Sequence, residues 1–207
     1  MSAYVELHPV NPQARLVDKV VRQLTADGLI AYPTDSGYAL ACRLGNKEGL
    51  DRIRQLRQLG EKHNFTLVAQ SFNQLGQMVI VSNAHFRLIK SLTPGPYTFI
   101  VKGTKEIPRM TLHPKKHTVG FRIPRHTIAQ AIVAGLGEPV LSSTLLLPGH
   151  SEAMSEGWVV RDELGHLLDM VVEGPVDSTE PTTVLNLTDD VPVLERQGSG
   201  PVDGILA

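Results

Sequence analysis

Apolar residues at Leu16, Val17, Val20, Val21 and Leu24 recur at the spacing of one helix face, which predicts a helix from Pro12 to Asp27. Asn11 is placed to cap it, and Pro12 suits a first helical position, where no amide donor is needed. Gly28 ends this helix. The unbroken apolar run Leu29-Ile30-Ala31-Tyr32 then reads as a buried strand, and Pro33-Thr34-Asp35-Ser36-Gly37 reads as its exit into a turn. A second stripe, Leu50, Ile53, Leu56 and Leu59, predicts another helix, with Arg52, Arg54 and Arg57 on its other faces. Thr66 to Val68 and Met78 to Val81 read as short extended pieces. A helix from Asn83 to Leu92 is expected to bury Phe86, Leu88 and Ile89 before Pro94-Gly95-Pro96 breaks it. The β-branched and aromatic run Tyr97 to Val101 and the alternating run Thr118 to Pro124 predict strands. A helix over Ile128 to Leu136 closes at Gly137, and Val140 to Leu147 is an apolar strand interrupted by hydroxyls. Further strands are expected near Leu167 to Val172, Thr183 to Leu187 and Val191 to Leu194, with Gly157 and Trp158 in an exposed loop. Helices alternating with strands, with no repeat or linker between them, predict one α/β (α+β) domain over residues 10–200. Its expected core is a single twisted sheet of mixed parallel and antiparallel strands flanked by helices.

Composition places this chain among ordinary globular proteins, with 42% hydrophobic and 20% charged residues, and 207 residues suffice for a full core. No apolar run approaches the length of a membrane span. Met1 to Glu6 lacks a basic start and an apolar stretch, so a cytoplasmic location without membrane partners is expected. Cys42 is the only cysteine, which excludes an internal disulfide and any multi-cysteine metal site. The eight histidines lack helical metal-ligand spacing, so no metal site is expected, and His63, His113, His117 and His126 read as polar surface or anion contacts.

Charge changes the picture. The net charge is −1, yet residues 52–126 hold 13 Lys/Arg against 2 Asp/Glu, while residues 150–207 hold 2 against 12. Such asymmetry is compatible with a polyanionic partner, and equally with two segments that pack together and cancel. Three strand ends are rich in hydroxyls: Thr34 and Ser36; Ser142, Ser143 and Thr144; Thr182 and Thr183. Arg122 lies on a strand of apolar and small residues, where an unpaired guanidinium is costly. It should face a cleft or an anion, or else pair with a carboxylate of the acidic segment. Neither a P-loop, nor a Gly-x-Gly-x-x-Gly turn, nor a Gly-x-Ser-x-Gly elbow is present.

Four segments in order carry a family resemblance. Pro33-Thr34-Asp35-Ser36-Gly37-Tyr38-Ala39-Leu40-Ala41-Cys42 resembles a Pro-Thr-Glu-Thr-x-Tyr-Gly-Leu-x-Cys-type signature, and the segment Arg57 to Leu67 is similar to a Lys-x-Arg-Pro region. Thr118 to Pro124 and Pro139 to Thr144 follow at matching spacing. Together they resemble the YrdC-like threonylcarbamoyl-AMP synthase family over about residues 10–200. Arg57-Gln58-Leu59, His63-Asn64-Phe65-Thr66-Leu67 and Leu145-Leu146-Leu147-Pro148-Gly149 are most similar to its YciO branch.

This resemblance implies a YrdC-like fold around a positively charged cavity. It also implies a reaction in which threonine and bicarbonate form a carbamate that attacks the ATP α-phosphate, expelling pyrophosphate, with ATP and Mg²⁺ as cofactors. The product's threonylcarbamoyl group is destined for tRNA. Thr34, Ser36, Arg122, Thr144 and Thr182 would fall on the amino-acid side of the cavity, and Arg57, His63, Thr118, Ser142 and Arg196 on the nucleotide side. Two departures bear on activity: Leu59 replaces a cation, and Leu146 replaces an amide. Losing one fixed donor to developing charge typically costs ~10²–10³ in rate. The expected function is therefore binding of nucleotide and RNA, either tRNA or double-stranded, in the cavity, with Lys102, Lys105, Arg109, Lys115 and Lys116 meeting phosphates. A slow threonylcarbamoyl-AMP synthase, a nucleotidyltransferase, is the alternative. Oligomeric state is not legible.

Overall fold

A computed structural model describes residues 2–60 and 63–204. Among these, eleven strands form one sheet: β1 (Ala3–Glu6), β2 (Ile30–Thr34), β3 (Gly37–Arg43), β4 (Thr66–Val68), β5 (Val79–Ile80), β6 (Tyr97–Gly103), β7 (Thr118–Arg122), β8 (Val140–Thr144), β9 (Met170–Glu173), β10 (Thr183–Asn186) and β11 (Val193–Arg196). The spatial order is β1-β9-β2-β3-β8-β4-β7-β6-β10-β11, with β5 paired to the end of β6. Pairing is mixed, parallel for β1–β9, β2–β9, β4–β7 and β6–β10 and antiparallel elsewhere. Helices α1 (Ala14–Thr25), α2 (Lys47–Arg57), α3 (Phe72–Leu75), α4 (Asn83–Leu92), α5 (Thr127–Leu136) and α6 (Gly157–Leu164) flank this sheet. The twisted mixed sheet expected from the sequence is the fold observed.

Each face of the sheet has its own core, as strand alternation requires. Ala31, Leu40, Cys42, Leu67, Phe99, Val119 and Phe121 pack with Leu50 and Ile53 of α2, Ile89 of α4 and Val160 of α6. Ile30, Tyr32, Ala39, Ala41 and Val68 pack with Val17, Val20 and Leu24 of α1 and Ile128 and Ile132 of α5. That second layer of helices covers only part of its face.

Several elements differ from the sequence reading. α1 begins at Ala14, because the amides of Val10 and Asn11 donate to Nδ1 of His8, 3.2 and 3.1 Å away, which holds Asn11 in a turn before the helix. Residues 33–43 are no simple strand exit: they form a tight hairpin in which Thr34 pairs with Gly37, and β3 is a central strand. Gly37, at φ +85°, turns this hairpin in a conformation that side-chain-bearing residues seldom adopt. On α4, His85 and Ile89 are the buried residues, whereas Phe86 is 38% exposed. The expected loop at Gly157 and Trp158 is helix α6, with Trp158 exposed on it.

Candidate functional site

Alternation along the strands places polar and small residues on the face that α1 and α5 leave bare. A straight row crosses five strands there, with Ala41 opposite Ser142, Ser142 opposite Thr66, Thr66 opposite Gly120 and Gly120 opposite Ile100. A cavity of about 330 Å³ opens above this floor. Gly120 keeps it low: a β-carbon there would lie 3.0 Å from Oγ1 of Thr66 and 3.2 Å from the Phe65 carbonyl.

One wall is built by the β2–β3 hairpin. Oγ1 of Thr34 donates to the Gly37 carbonyl at 2.7 Å and accepts from the Ser36 amide at 3.1 Å, so its proton serves the turn. Ser36 Oγ accepts from Nη1 of Arg122 at 2.8 Å. Arg122 also donates through Nη2 to Asp35, and both side chains are more than nine-tenths buried. The second oxygen of Asp35 accepts from the Arg125 amide at 3.1 Å. Arg122 thus faces the cleft and is ion-paired at once, and its carboxylate comes from the hairpin rather than from the acidic segment. Its Nε is buried and, among the described residues, without a partner.

The opposite end is closed by α2, the segment before β4 and the segment after β8. Arg57 donates through Nη1 to Ser143 Oγ at 2.6 Å and through Nε to the Leu146 carbonyl at 3.2 Å. Burial lowers its pKa, though a guanidinium remains charged at neutral pH. His63 lies beside it, pushed down to about 4 by burial first and then by the Arg57 and Arg54 guanidiniums. On the remaining wall Arg196 donates to the Thr182 carbonyl at 2.8 Å, and Thr182 Oγ1 lies 2.8 Å from that of Thr98. Burial, then the charge of Arg122, lowers Arg196. The cavity also exposes the side chain of Leu146, while Leu59 packs against the core.

Hydroxyl protons can be assigned from this network. Ser142 Oγ donates to the Leu40 carbonyl at 2.9 Å, so the Tyr32 hydroxyl, 3.0 Å away, must donate to Ser142. Burial raises the Tyr32 phenol to about 12, which keeps that proton in place. Ser142 can therefore only accept from a ligand. Ser143 accepts from Arg57 and keeps a proton to donate, whereas Ser36 accepts from Arg122 and has Thr34 Oγ1, whose own proton is committed, as an acceptor 3.4 Å away.

Of the residues singled out from sequence, Thr34, Ser36, Arg57, His63, Arg122, Ser142, Thr144, Thr182 and Arg196 line one cavity. Thr118 does not; it is buried one alternation step from Gly120, its hydroxyl 3.3 Å from Oδ1 of Asn64. Lys102, Lys105, Arg109, Lys115 and Lys116 are exposed on and after β6, outside the cavity. His113 and His126 are buried caps rather than surface groups: Nδ1 of His113 accepts from the amides of Lys115 and Lys116, and that of His126 from Ala129. Ser143, part of a hydroxyl-rich strand end in the sequence, lines the cavity too, while sequence reasoning missed Tyr32, Thr66, Thr98 and Glu152. The first three were detectable as polar groups sharing the parity of Ser142 and Arg122 along their strands. Glu61 and Lys62, inside the segment likened to Lys-x-Arg-Pro, lie outside the described residues.

An open mixed sheet whose bare half carries an arginine- and hydroxyl-lined cavity defines an α/β protein with a small-ligand pocket. The family model Sua5_yciO_yrdC, described as "Telomere recombination", matches residues 22–198, and the chain belongs to this family. It is 46% identical, over 206 residues and the full length of both chains, to the uncharacterized protein YciO of Escherichia coli K12. The crystal structure of E. coli YciO superposes with a TM-score of 0.95 over both chains in full. A threonylcarbamoyl-AMP synthase of Nitrosococcus oceani is 29% identical over 165 residues, covering 79% of this chain and 86% of that one. P. abyssi Sua5 complexed with L-threonine shares the fold, with a TM-score of 0.87 at 21% identity over 99% of this chain and 59% of its own.

Two predictions follow from this geometry. Replacing Asp35 by Ala leaves the Arg122 guanidinium buried without its carboxylate, and should destabilise the fold by about 3–5 kcal/mol in urea unfolding. Adding Arg122→Ala to that variant should recover part of the loss. The second concerns pH. An unfolded histidine titrates near 6.5, and folded His63 near 4. Between those values the unfolded chain holds the extra proton, so His63 makes stability rise with pH through that window. His63→Gln should flatten this rise when urea midpoints are compared from pH 4 to 7.

Proposed function

We propose that the cavity binds a nucleotide together with a small amino-acid-derived ligand, and that the exposed cations of the β6–β7 connection hold RNA. The observation carrying this reading is the convergence of three arginines on a hydroxyl-lined floor, two of them with a serine hydroxyl beside the guanidinium. Guanidinium and hydroxyl together suit phosphate and carboxylate oxygens. Likeness to a threonylcarbamoyl-AMP synthase, and to a Sua5 complexed with L-threonine, supports the pairing of these two ligand classes. Mg²⁺ would arrive on nucleotide phosphates, since among the described residues no cluster of His, Cys, Asp or Glu could hold a metal alone.

Synthesis is the weaker half of the inherited chemistry. The Leu146 side chain offers the cavity no hydrogen-bonding group, and Leu59 packs against the core, so fewer donors meet the charge that develops on departing pyrophosphate. Binding needs fewer such donors than turnover does. The RNA surface adjoins the pocket: the pair Lys102 and Thr118 lies two residues along from Ile100 and Gly120 on the floor, roughly 7 Å at strand rise.

Calorimetry with AMP and ATP tests the nucleotide site directly. Wild type should bind both, and Arg57→Ala should weaken binding roughly 10- to 100-fold, the worth of a charged hydrogen bond in a partly buried site. No nucleotide binding by wild type overturns the reading. For RNA, tRNA binding should weaken steeply with salt. Replacing Lys102, Lys105, Arg109, Lys115 and Lys116 by Gln should reduce the slope of log K against log salt by about 4.

A further inference from the structure

The charge asymmetry of the sequence does not cancel within the fold. Among the described residues, Arg52–Asp169 is the one ion pair within 4.0 Å that joins the cation-rich segment 52–126 to the acid-rich segment 150–207. Part of the acidic excess lies on the outer face of α6. Gly157, Val160 and Leu164 turn inward over β2 and β9, which leaves Trp158 and Asp162, one turn apart, outside, with Trp158 54% exposed. Glu156 and Glu163 are exposed on the same helix and make no ion pair among the described residues. Arg161, the cation of α6, is already engaged: its guanidinium lies 4.6 Å from the centroid of the Tyr4 ring and 3.1 Å from Asp162. An exposed indole among carboxylates offers a further cation a π face and a counter-charge together. The complementary surface is the β6–β7 connection, where Lys102, Lys105, Arg109, Lys115 and Lys116 are exposed and make no ion pair among the described residues. Strands β2, β3, β8 and β4 lie between β9 and β7, about 24 Å of sheet, so the two surfaces stand apart on one molecule.

From this complementarity we infer that the outer face of α6 docks the β6–β7 connection of a second copy of this chain, the cations of one copy meeting the indole and carboxylates of the other. The net charge of −1 lets copies approach without strong mutual repulsion. Because the two surfaces differ, the contact is heterologous and repeats head to tail. Opposite charges around a single aromatic side chain make it weak and sensitive to salt. The inference does not rest on the function proposed above; it shares only the cations, for which RNA would compete.

Sedimentation equilibrium of nucleic-acid-free protein tests it. At roughly millimolar protein and about 20 mM salt, the weight-average mass of wild type should exceed that of one chain, and at about 500 mM salt it should return to one chain. Trp158→Ala combined with Glu163→Lys should abolish the association, and so should replacing Lys102, Lys105, Arg109, Lys115 and Lys116 by Gln. All of these side chains are exposed, so both variants should keep the wild-type thermal midpoint. Mixed in equal amounts, the two variants should form dimers that grow no further, because each still carries one intact surface. Wild type that stays a single chain at low salt overturns the inference, as does association that survives either set of substitutions or high salt. Folded variants that fail to pair when mixed overturn it too. None of these outcomes bears on nucleotide or RNA binding, which the calorimetry and salt titration above decide separately.

Discussion

The buried pair of Arg122 and Asp35 sets the geometry on which the site depends. Arg122 ends β7 and Asp35 tips the β2–β3 hairpin, while β8 and β4 lie between β3 and β7 in the sheet. Three strand spacings of about 4.8 Å separate β3 from β7, well beyond the reach of a flat arrangement of these two side chains. Twist of the sheet and a hairpin that leans over it bring them together. Desolvating both charges makes such a pair a poor source of net stability. Its effect is directional: it decides where the Asp35–Ser36 turn points, and thereby that Ser36 and Arg122 share one wall. The Arg125 amide on the second carboxylate oxygen locks that direction.

Given that wall, the remainder of the pocket is a matter of incomplete cover. Helices α1 and α5 bury Ile30, Tyr32, Ala39 and Ala41 on their side of the sheet. Beyond them the same face continues as Thr66, Thr98, Gly120 and Ser142, residues too polar or too small to support a further packed helix. An uncovered half-face of a sheet in a globular protein has to be filled by solvent or ligand. Small side chains then give depth, and hydroxyls give hydrogen-bonding capacity without charge.

Much of this was readable from residue order, and the failures share a cause. Strands with one polar face, such as Thr118 to Arg122, announce themselves by alternation. β3 does not: Tyr38-Ala39-Leu40-Ala41-Cys42 is buried on both faces, so it carries no period, and no element was assigned to it from the sequence. The site residues on strands fell into one cavity because hydroxyls interrupting apolar strands are costly unless they face a polar space. Thr118 has the right parity yet lies too far along β7, and its burial under Asn64 depends on a loop that no periodicity describes. Glu152 was invisible for the same reason. The backbone bonds near it join Tyr38, Leu145 and Met154, and amides carry no residue-type signal.

Arg57 has one more implication, for how the pocket empties. Its guanidinium is never stranded, since Ser143 and the Leu146 carbonyl take it up whenever no anion is there. Binding at this wall is an exchange of one set of acceptors for another, so departure of a ligand does not leave a dehydrated cation behind. An anion at this wall, as proposed above, would displace those acceptors on arrival and return the guanidinium to them on departure.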